Sequence, residues 1–219
     1  MSETLSTETP DTLAAALVRH EIALDDEQTA ALDRYCRSLW AWNEKLNLTR
    51  HTSYEKFVAR DVRDSVELER LIESGERVLD VGTGGGVPGA VLAILRPDLD
   101  VTLCDSVAKK AAAVAGIVEE SGGRTPVVHG RAESLLAGER FDSLVVRAVA
   151  PLHKLLTWFE PHWDSIGQLL VFKGPAWADE RAAARERRLL RGLELRKAAE
   201  YETPGSGAIN VILRIAPGE

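Results

Sequence analysis

Hydrophobic positions along the chain follow two rhythms, and the change falls at Gly75. Before it the spacing is helical. Leu13, Leu17 and Val18 follow Asp11 at helical intervals, and across residues 24–48 Ala31, Leu32, Tyr35, Leu39, Trp42 and Leu46 recur at steps of three and four. Residues 52–72 read as further helix, with Phe57, Val58, Val62, Val66 and Leu71 as its buried stripe. After Gly75, short apolar runs (77–81, 101–104, 126–128, 141–147, 168–173) alternate with helical stretches such as 87–95, 109–119 and 152–159. That alternation predicts βαβ units around a parallel sheet buried on both faces. A charged helix over 179–190 and two strands over 193–200 and 208–215, joined by a loop at 203–207, predict an antiparallel hairpin at the sheet edge. The expected fold class is therefore α/β, mostly parallel and doubly wound. A helical cap over 11–74 precedes the main domain at 75–219, and the Ser/Thr/Glu-rich residues 1–10 read as a disordered tail.

Composition narrows the class without changing it. The 219 residues are 45% apolar and 28% charged, ordinary for a globular protein with a proper core. No apolar run is long enough to cross a bilayer, and the acidic N-terminus is unlike a targeting segment, so a cytoplasmic protein is expected. Cys36 and Cys104 form no CxxC pair, and the five histidines lack metal-ligand spacing, so neither disulfides nor a metal site is expected. The net charge of -7 argues at first against a nucleic-acid partner. Its distribution weakens that argument. Residues 1–33 hold eight acids and one base, the rest of the chain is neutral, and residues 34–63 carry seven bases against three acids.

The sharpest chemical feature is Val78-Leu79-Asp80-Val81-Gly82-Thr83-Gly84-Gly85-Gly86-Val87-Pro88-Gly89. A buried strand runs into glycines and then a helix, so the main chain can approach a ligand closely and the helix start offers free N–H donors. Gly84, Gly86 and Gly89 satisfy the dinucleotide GxGxxG pattern, with Asp105 at a ribose-binding distance. Asp80, however, immediately precedes the glycines. A carboxylate there would repel a pyrophosphate and would suit a ligand bearing an ammonium group.

The pattern Asp-x-Gly-x-Gly-x-Gly resembles the first motif of the class I methyltransferases, with their Rossmann-like fold. That resemblance implies S-adenosylmethionine as cofactor, its methionine part against the turn, Asp105 on the ribose hydroxyls and Glu133 on the adenine amino group. Two acceptor classes lack their chemistry here. Attack at a pyrimidine C5 needs a thiol in a loop, whereas Cys104 falls in a predicted strand and Cys36 in a helix. Exocyclic amine methylation usually comes with an Asn/Asp-Pro-Pro-aromatic turn after the fourth strand, where this chain reads Val145-Val146-Arg147-Ala148-Val149-Ala150-Pro151. Arg147 is open to four roles: holding the cofactor carboxylate, an acceptor phosphate or a guanine edge, or making an internal salt bridge.

Between residues 20 and 215 the chain resembles the bacterial ribosomal small-subunit RNA methyltransferase G family, also called glucose-inhibited division protein B. The matching stretches are Trp42-Asn43-Glu44-Lys45-Leu46-Asn47-Leu48-Thr49, Asp64-Ser65, the glycine turn through Pro88-Gly89, Asp105-Ser106 with Lys109-Lys110, Arg131-Ala132-Glu133, residues 143–150 around Arg147, and Phe172-Lys173-Gly174. The resemblance implies methylation of N7 of a guanine in 16S ribosomal RNA, with small-subunit rRNA or the subunit itself as partner, and a monomer. It places Asp80, Gly82, Gly84, Gly86, Val87, Asp105, Ala132, Glu133 and Arg147 at the cofactor, and Arg131, Arg147 and Lys173 around the acceptor as positioning and electrostatic residues. A small-molecule or protein methyltransferase, and a non-catalytic cofactor-binding assembly factor, are the competing readings.

Three departures from the family pattern concern RNA contact. An aspartate, Asp61, stands where the family usually has a histidine ahead of Asp-Ser. Ala208-Ile209 stands where an arginine often precedes the last strand, and Lys109-Lys110 replaces a lysine-arginine pair. Arg60, Arg63, Arg131, Arg147 and Lys173 are the expected RNA-facing bases, on one limited face.

Overall fold

Asp25 fixes where the long N-terminal helix begins. In the computed structural model, which describes residues 11–205 and 207–218, its carboxylate accepts the Gln28 N–H and the Gln28 side chain accepts the Asp25 N–H. Such a capping box stabilises a helix by about 1 kcal/mol. The helix, α2 (Asp26–Leu46), ends where Asn47 turns left-handed at φ 48°. It is thus shorter at both ends than the periodicity predicts. Before it, Thr12 caps α1 (Leu13–Arg19) through the Ala15 N–H. Leu13 and Leu17 are buried there, whereas Val18 points outward and is 78% exposed. The single helix predicted over 52–72 forms three pieces: α3 (Tyr54–Phe57), a π-helical turn (Val58–Val62) and α4 (Arg63–Glu69). The wide turn carries Asp61 into the interior. Residues 1–10, the expected disordered tail, lie outside the described residues.

From Arg77 onward strands and helices alternate: β1 (Arg77–Val81), α5 (Gly89–Leu95), β2 (Asp100–Asp105), α6 (Ala108–Glu120), β3 (Val127–His129), α7 (Ala132–Leu136), β4 (Phe141–Arg147), α8 (Leu152–Phe159), β5 (Ile166–Lys173) and α9 (Trp177–Glu186). The edge hairpin follows as β6 (Leu193–Thr203) and β7 (Ala208–Pro217). All seven strands form one sheet in the order β3-β2-β1-β4-β5-β7-β6. β1 pairs in parallel with both β2 and β4, so the strand order reverses beside it and opens a crevice at the strands' C-terminal ends. β7 runs antiparallel between β5 and β6. The sequence-predicted α/β sheet with its edge hairpin is the observed one.

Side chains alternate across the sheet and build two cores. Val78, Leu103, Val145 and Leu170 join Leu32, Tyr35, Leu39 and Phe57 of the N-terminal helices. Leu79, Leu144, Leu169 and Leu213 join Leu156 and Phe159 on the other face. The N-terminal helices therefore share a core with the sheet, which lets them brace the crevice. Among the described residues, no helix is long and apolar enough to cross a membrane.

Candidate active site

The glycine turn between β1 and α5 is held mainly by its own neighbours. Gly82 and Thr83 both donate their N–H to the Cys104 carbonyl, at 2.8 and 3.0 Å. Asp80 Oδ2 accepts from Thr83 Oγ1 at 2.6 Å and from the Gly89 N–H at 2.9 Å. Asp105 clamps the far side, accepting the Gly84 N–H at 3.0 Å and the Val107 N–H at 2.8 Å. Two of the donors expected free at the start of α5 are already used: Gly89 bonds Asp80, and Ala90 bonds the Gly86 carbonyl. Closeness of approach survives as the reason for glycine. A Cβ on Gly82 (φ +70°) would lie 2.6 Å from Val149 Cγ2, and one on Gly86 (φ +99°) 2.7 Å from Tyr35 Oη. Sequence reasoning missed Tyr35, whose buried hydroxyl donates to the Gly85 carbonyl at 2.6 Å; it reads from sequence only as one more residue of an apolar stripe.

Two clefts flank the turn. Gly82, Cys104, Ala132, Glu133, Val149 and Phe159 line the first, a largely apolar slot with the Glu133 carboxylate on its wall. A flat ring carrying an amino donor suits that lining, with Glu133 as the acceptor. Arg131 lies on this cleft too, with its guanidinium 3.9 Å from Glu133. The structure thus separates Arg131 from Arg147 and Lys173, with which the sequence had grouped it.

The second cleft, of 430 Å³, is lined by His51, Arg60, Asp64, Arg147, Phe172 and Lys173, among others. Arg147 Nη1 lies 2.7 Å from Asp61 Oδ1 and 2.9 Å from Asp64 Oδ2. Of the four roles open to it, the geometry supplies the internal salt bridge. Burial disfavours the Arg147 charge, but the two carboxylates outweigh it and hold its pKa above the ordinary value. Burial likewise opposes ionisation of Asp61, yet the His51 hydrogen bond and the Arg147 charge prevail and lower its pKa. An ionised Asp61 only accepts, so the 2.7 Å contact with His51 Nδ1 puts the proton on that nitrogen. Tyr201 Oη completes the cluster, donating to Asp64 Oδ1 at 2.5 Å. Burial, then the Asp64 charge, pushes the Tyr201 phenol up.

Lys173 acts on the loop after β4. Its Nζ donates to the Ala150 carbonyl at 2.9 Å and pairs with Glu180 at 2.8 Å, and Glu180 also accepts the Leu152 N–H. These bonds pin a loop in which Ala148 is left-handed at φ 56° and Val149 lies over Gly82. A larger cleft of 610 Å³, beside Arg70 and Gln168, opens at the other end of the strands, away from the glycine turn. Among the described residues, no three His, Cys, Asp or Glu side chains gather as metal ligands would.

The sequence profile of the GidB family, described as rRNA small subunit methyltransferase G, matches residues 28–204. That stretch contains the glycine turn, the first cleft and most of the second. The chain belongs to the rRNA small subunit methyltransferase G family. A Rhodopirellula baltica protein named ribosomal RNA small subunit methyltransferase G is 48% identical over 186 residues, covering 85% of this chain and 80% of its own. The protein of that name from Chlorobaculum tepidum is 37% identical over 169 residues, covering 76% and 77%. Solved structures agree on the fold. An O-methyltransferase from Bacillus cereus, in complex with SAH, superposes with a TM-score of 0.59 at 15% identity, over 93% of this chain and 97% of its own.

Within this chain, the Trp-Asn…Asn-Leu-Thr motif has a local structural task. Asn43 Oδ1 accepts the Thr49 N–H at 2.8 Å, Thr49 Oγ1 accepts the His51 N–H at 3.0 Å, and Trp40 Nε1 donates to the His51 carbonyl at 2.8 Å. The motif thereby delivers His51 to Asp61, the position where the family pattern usually has histidine. The imidazole is supplied here from a neighbouring loop.

Proposed function

We propose that this protein transfers a methyl group from S-adenosylmethionine to N7 of a guanine in small-subunit (16S) ribosomal RNA. The observation that carries the reading is the family match, which spans the glycine turn, the first cleft and most of the second. It favours rRNA over a small-molecule or protein acceptor and over a non-catalytic assembly role. A cytoplasmic monomer, with a helical cap at 11–74 and a methyltransferase domain at 75–219, belongs to the same reading.

S-adenosylmethionine, when bound, supplies an electrophilic methyl carbon on a sulfonium. Gly82, Gly84, Gly86 and Val87 would present the main chain to its methionine part, with Asp80 behind them. Asp105 would take the ribose, and Ala132 and Glu133 the adenine. Asp61 and Asp64 both pair with Arg147, so its charge is compensated within the second cleft. Guanine N7 carries a lone pair and no proton, so no side chain need act as a base. Arg147 and Lys173 therefore position the reacting groups and shape the cleft. Alignment of donor and acceptor and exclusion of water supply the acceleration. The guanine must leave its stack to enter the second cleft.

The test is methyl transfer from labelled S-adenosylmethionine to small-subunit rRNA, followed by mass-spectrometric mapping. One N7-methylguanine is expected, and the same modification should be missing from rRNA of a deletion strain. Label on no RNA, or on a base other than guanine, would overturn the reading.

A further inference from the structure

Every base expected to face RNA has an internal partner. Arg60 donates to Thr203, Arg63 lies near Glu67, Arg131 near Glu133, Arg147 between two aspartates and Lys173 against Glu180. Among the described residues, a denser group of cations sits elsewhere. Residues 181–197 hold seven bases against only Glu186 and Glu194, a denser excess than 34–63. Arg185, Arg187, Arg188, Arg191 and Arg196 are exposed there.

Three of these arginines converge. Arg185, Arg188 and Arg191 line a 370 Å³ cleft between the end of α9 and the start of β6, and its remaining lining is leucine. Among the described residues no acid lines it, in contrast to the larger cleft beside Arg70, where Glu73, Glu76 and Asp142 share the walls with the bases. The local backbone builds the convergence. α9 ends at Glu186, Arg188 takes a left-handed φ of 60°, and Gly192 at φ 70° turns the chain into β6. Like charges gathered without carboxylates repel one another, and a phosphate relieves that repulsion while matching the guanidinium fork.

The cleft stands far from the site of chemistry. β6 runs from Leu193, beside it, to Thr203, which bonds Arg60 at the second active-site cleft. Eleven strand residues cover roughly 35 Å. A nucleotide cannot span that length, whereas a folded RNA can. We infer that Arg185, Arg188 and Arg191 form a second contact for the substrate, a cleft that seats backbone phosphates of small-subunit RNA while the target guanine occupies the distant cleft. This inference rests on the functional reading above and adds a docking surface to it.

The experiment compares the wild type with two triple variants, one carrying Arg185→Gln, Arg188→Gln and Arg191→Gln, the other lysine at all three positions. Affinity for small-subunit rRNA is measured by filter binding from 50 to 200 mM salt, alongside methyl transfer and S-adenosylmethionine affinity. Each lost phosphate contact should flatten the log–log salt slope by about 0.7–0.9. The glutamine triple should therefore lose about 2 to 3 from the slope and at least about tenfold in affinity at 50 mM salt. The lysine triple should stay near the wild type, and cofactor affinity should be unchanged in both. A glutamine triple that binds rRNA like the wild type overturns the cleft and leaves methyl transfer standing. An arginine-dependent slope without methyl transfer to rRNA supports the cleft and overturns the functional reading. Inorganic phosphate that occupies the cleft should weaken rRNA binding by the wild type and leave binding by the glutamine triple unchanged. Saturation of the cleft by phosphate, with RNA affinity untouched, overturns it.

Discussion

The hydroxyl of Tyr35 donates a 2.6 Å hydrogen bond to the carbonyl of Gly85, joining the middle of α2 to the crown of the glycine turn. The tyrosine is fully buried and packs near Phe57, so its position is set by the core. Helix α2 thus braces the glycine turn from the interior.

Tyr35→Phe keeps the ring and removes this bond, leaving the Gly85 carbonyl without it. The expected cost is about 1–2 kcal/mol in urea unfolding. Cofactor affinity by calorimetry should fall several-fold, because the turn loses its brace. A variant with lowered stability and unchanged affinity would show that the turn holds its shape without the cap.

Two glycines should separate folding from binding. A Cβ at Gly89 would meet Leu103 Cδ2 at 2.4 Å and Asp80 Oδ2 at 2.6 Å, so Gly89→Ala should destabilise the protein by about 1–3 kcal/mol. At Gly84 a Cβ has open space, its nearest neighbour being the Gly82 carbonyl at 3.9 Å. Gly84→Asp should instead bring a negative charge beside Asp105 and abolish cofactor binding, at a stability cost of about 1 kcal/mol from the left-handed φ of +61°. The reverse ordering in thermal unfolding would contradict the steric argument.

Lys173→Ala releases both the Ala150 carbonyl and Glu180 from one ammonium. Loosening that loop should lower turnover on rRNA by about 10- to 100-fold, the scale expected of a small misplacement. S-adenosylmethionine affinity should change less. An equal loss in both would move Lys173 to the cofactor side.

What the sequence revealed and what it concealed divide along contact range. The strand alternation, the edge hairpin and the Asp80-to-Gly89 turn were legible because they depend on local periodicity and backbone freedom. The π-helical turn was not, because a stripe of Phe57, Val58 and Val62 fits a regular helix equally well. What favours the wider turn is tertiary: Asp61 must reach His51 and Arg147, which belong to other elements. The separation of Arg131 from Arg147 and Lys173 was hidden for a similar reason. Its neighbours in sequence and its charge fit an acceptor pocket, but the start of α7 sets it on the far side of the turn.

Arg147 and its carboxylates offer a test of coupling. Arg147→Gln removes the cation between buried Asp61 and Asp64 and should cost about 3–5 kcal/mol. Adding Asp61→Asn removes one stranded charge, so the double variant should recover part of the loss. Coupling of about 0.5–3 kcal/mol is expected in a double-mutant cycle by urea unfolding. Additive losses would mean that the charges are solvated independently.

Asp80 predicts a pH dependence of known sign. Burial pushes its carboxyl up to about 6, against the opposing pull of Thr83, the Gly89 N–H and Arg147. In the unfolded chain the group titrates near ~3.9. Between those values the folded state binds more protons than the unfolded one, so this group's contribution to stability is fully present below pH ~4 and is lost as pH rises through ~6. A shift of about two units corresponds to roughly 3 kcal/mol. Asp61, whose pKa is lowered, contributes the opposite trend at lower pH, so the whole-protein curve mixes the two. Asp80→Asn isolates the term, since the amide oxygen can still accept from Thr83 and Gly89. The variant's stability relative to wild type should rise by up to roughly 3 kcal/mol between pH 4 and 7 in urea titrations. A difference that stays constant over that range would mean that Asp80 titrates as it does in the unfolded chain, with its charge already compensated in the turn.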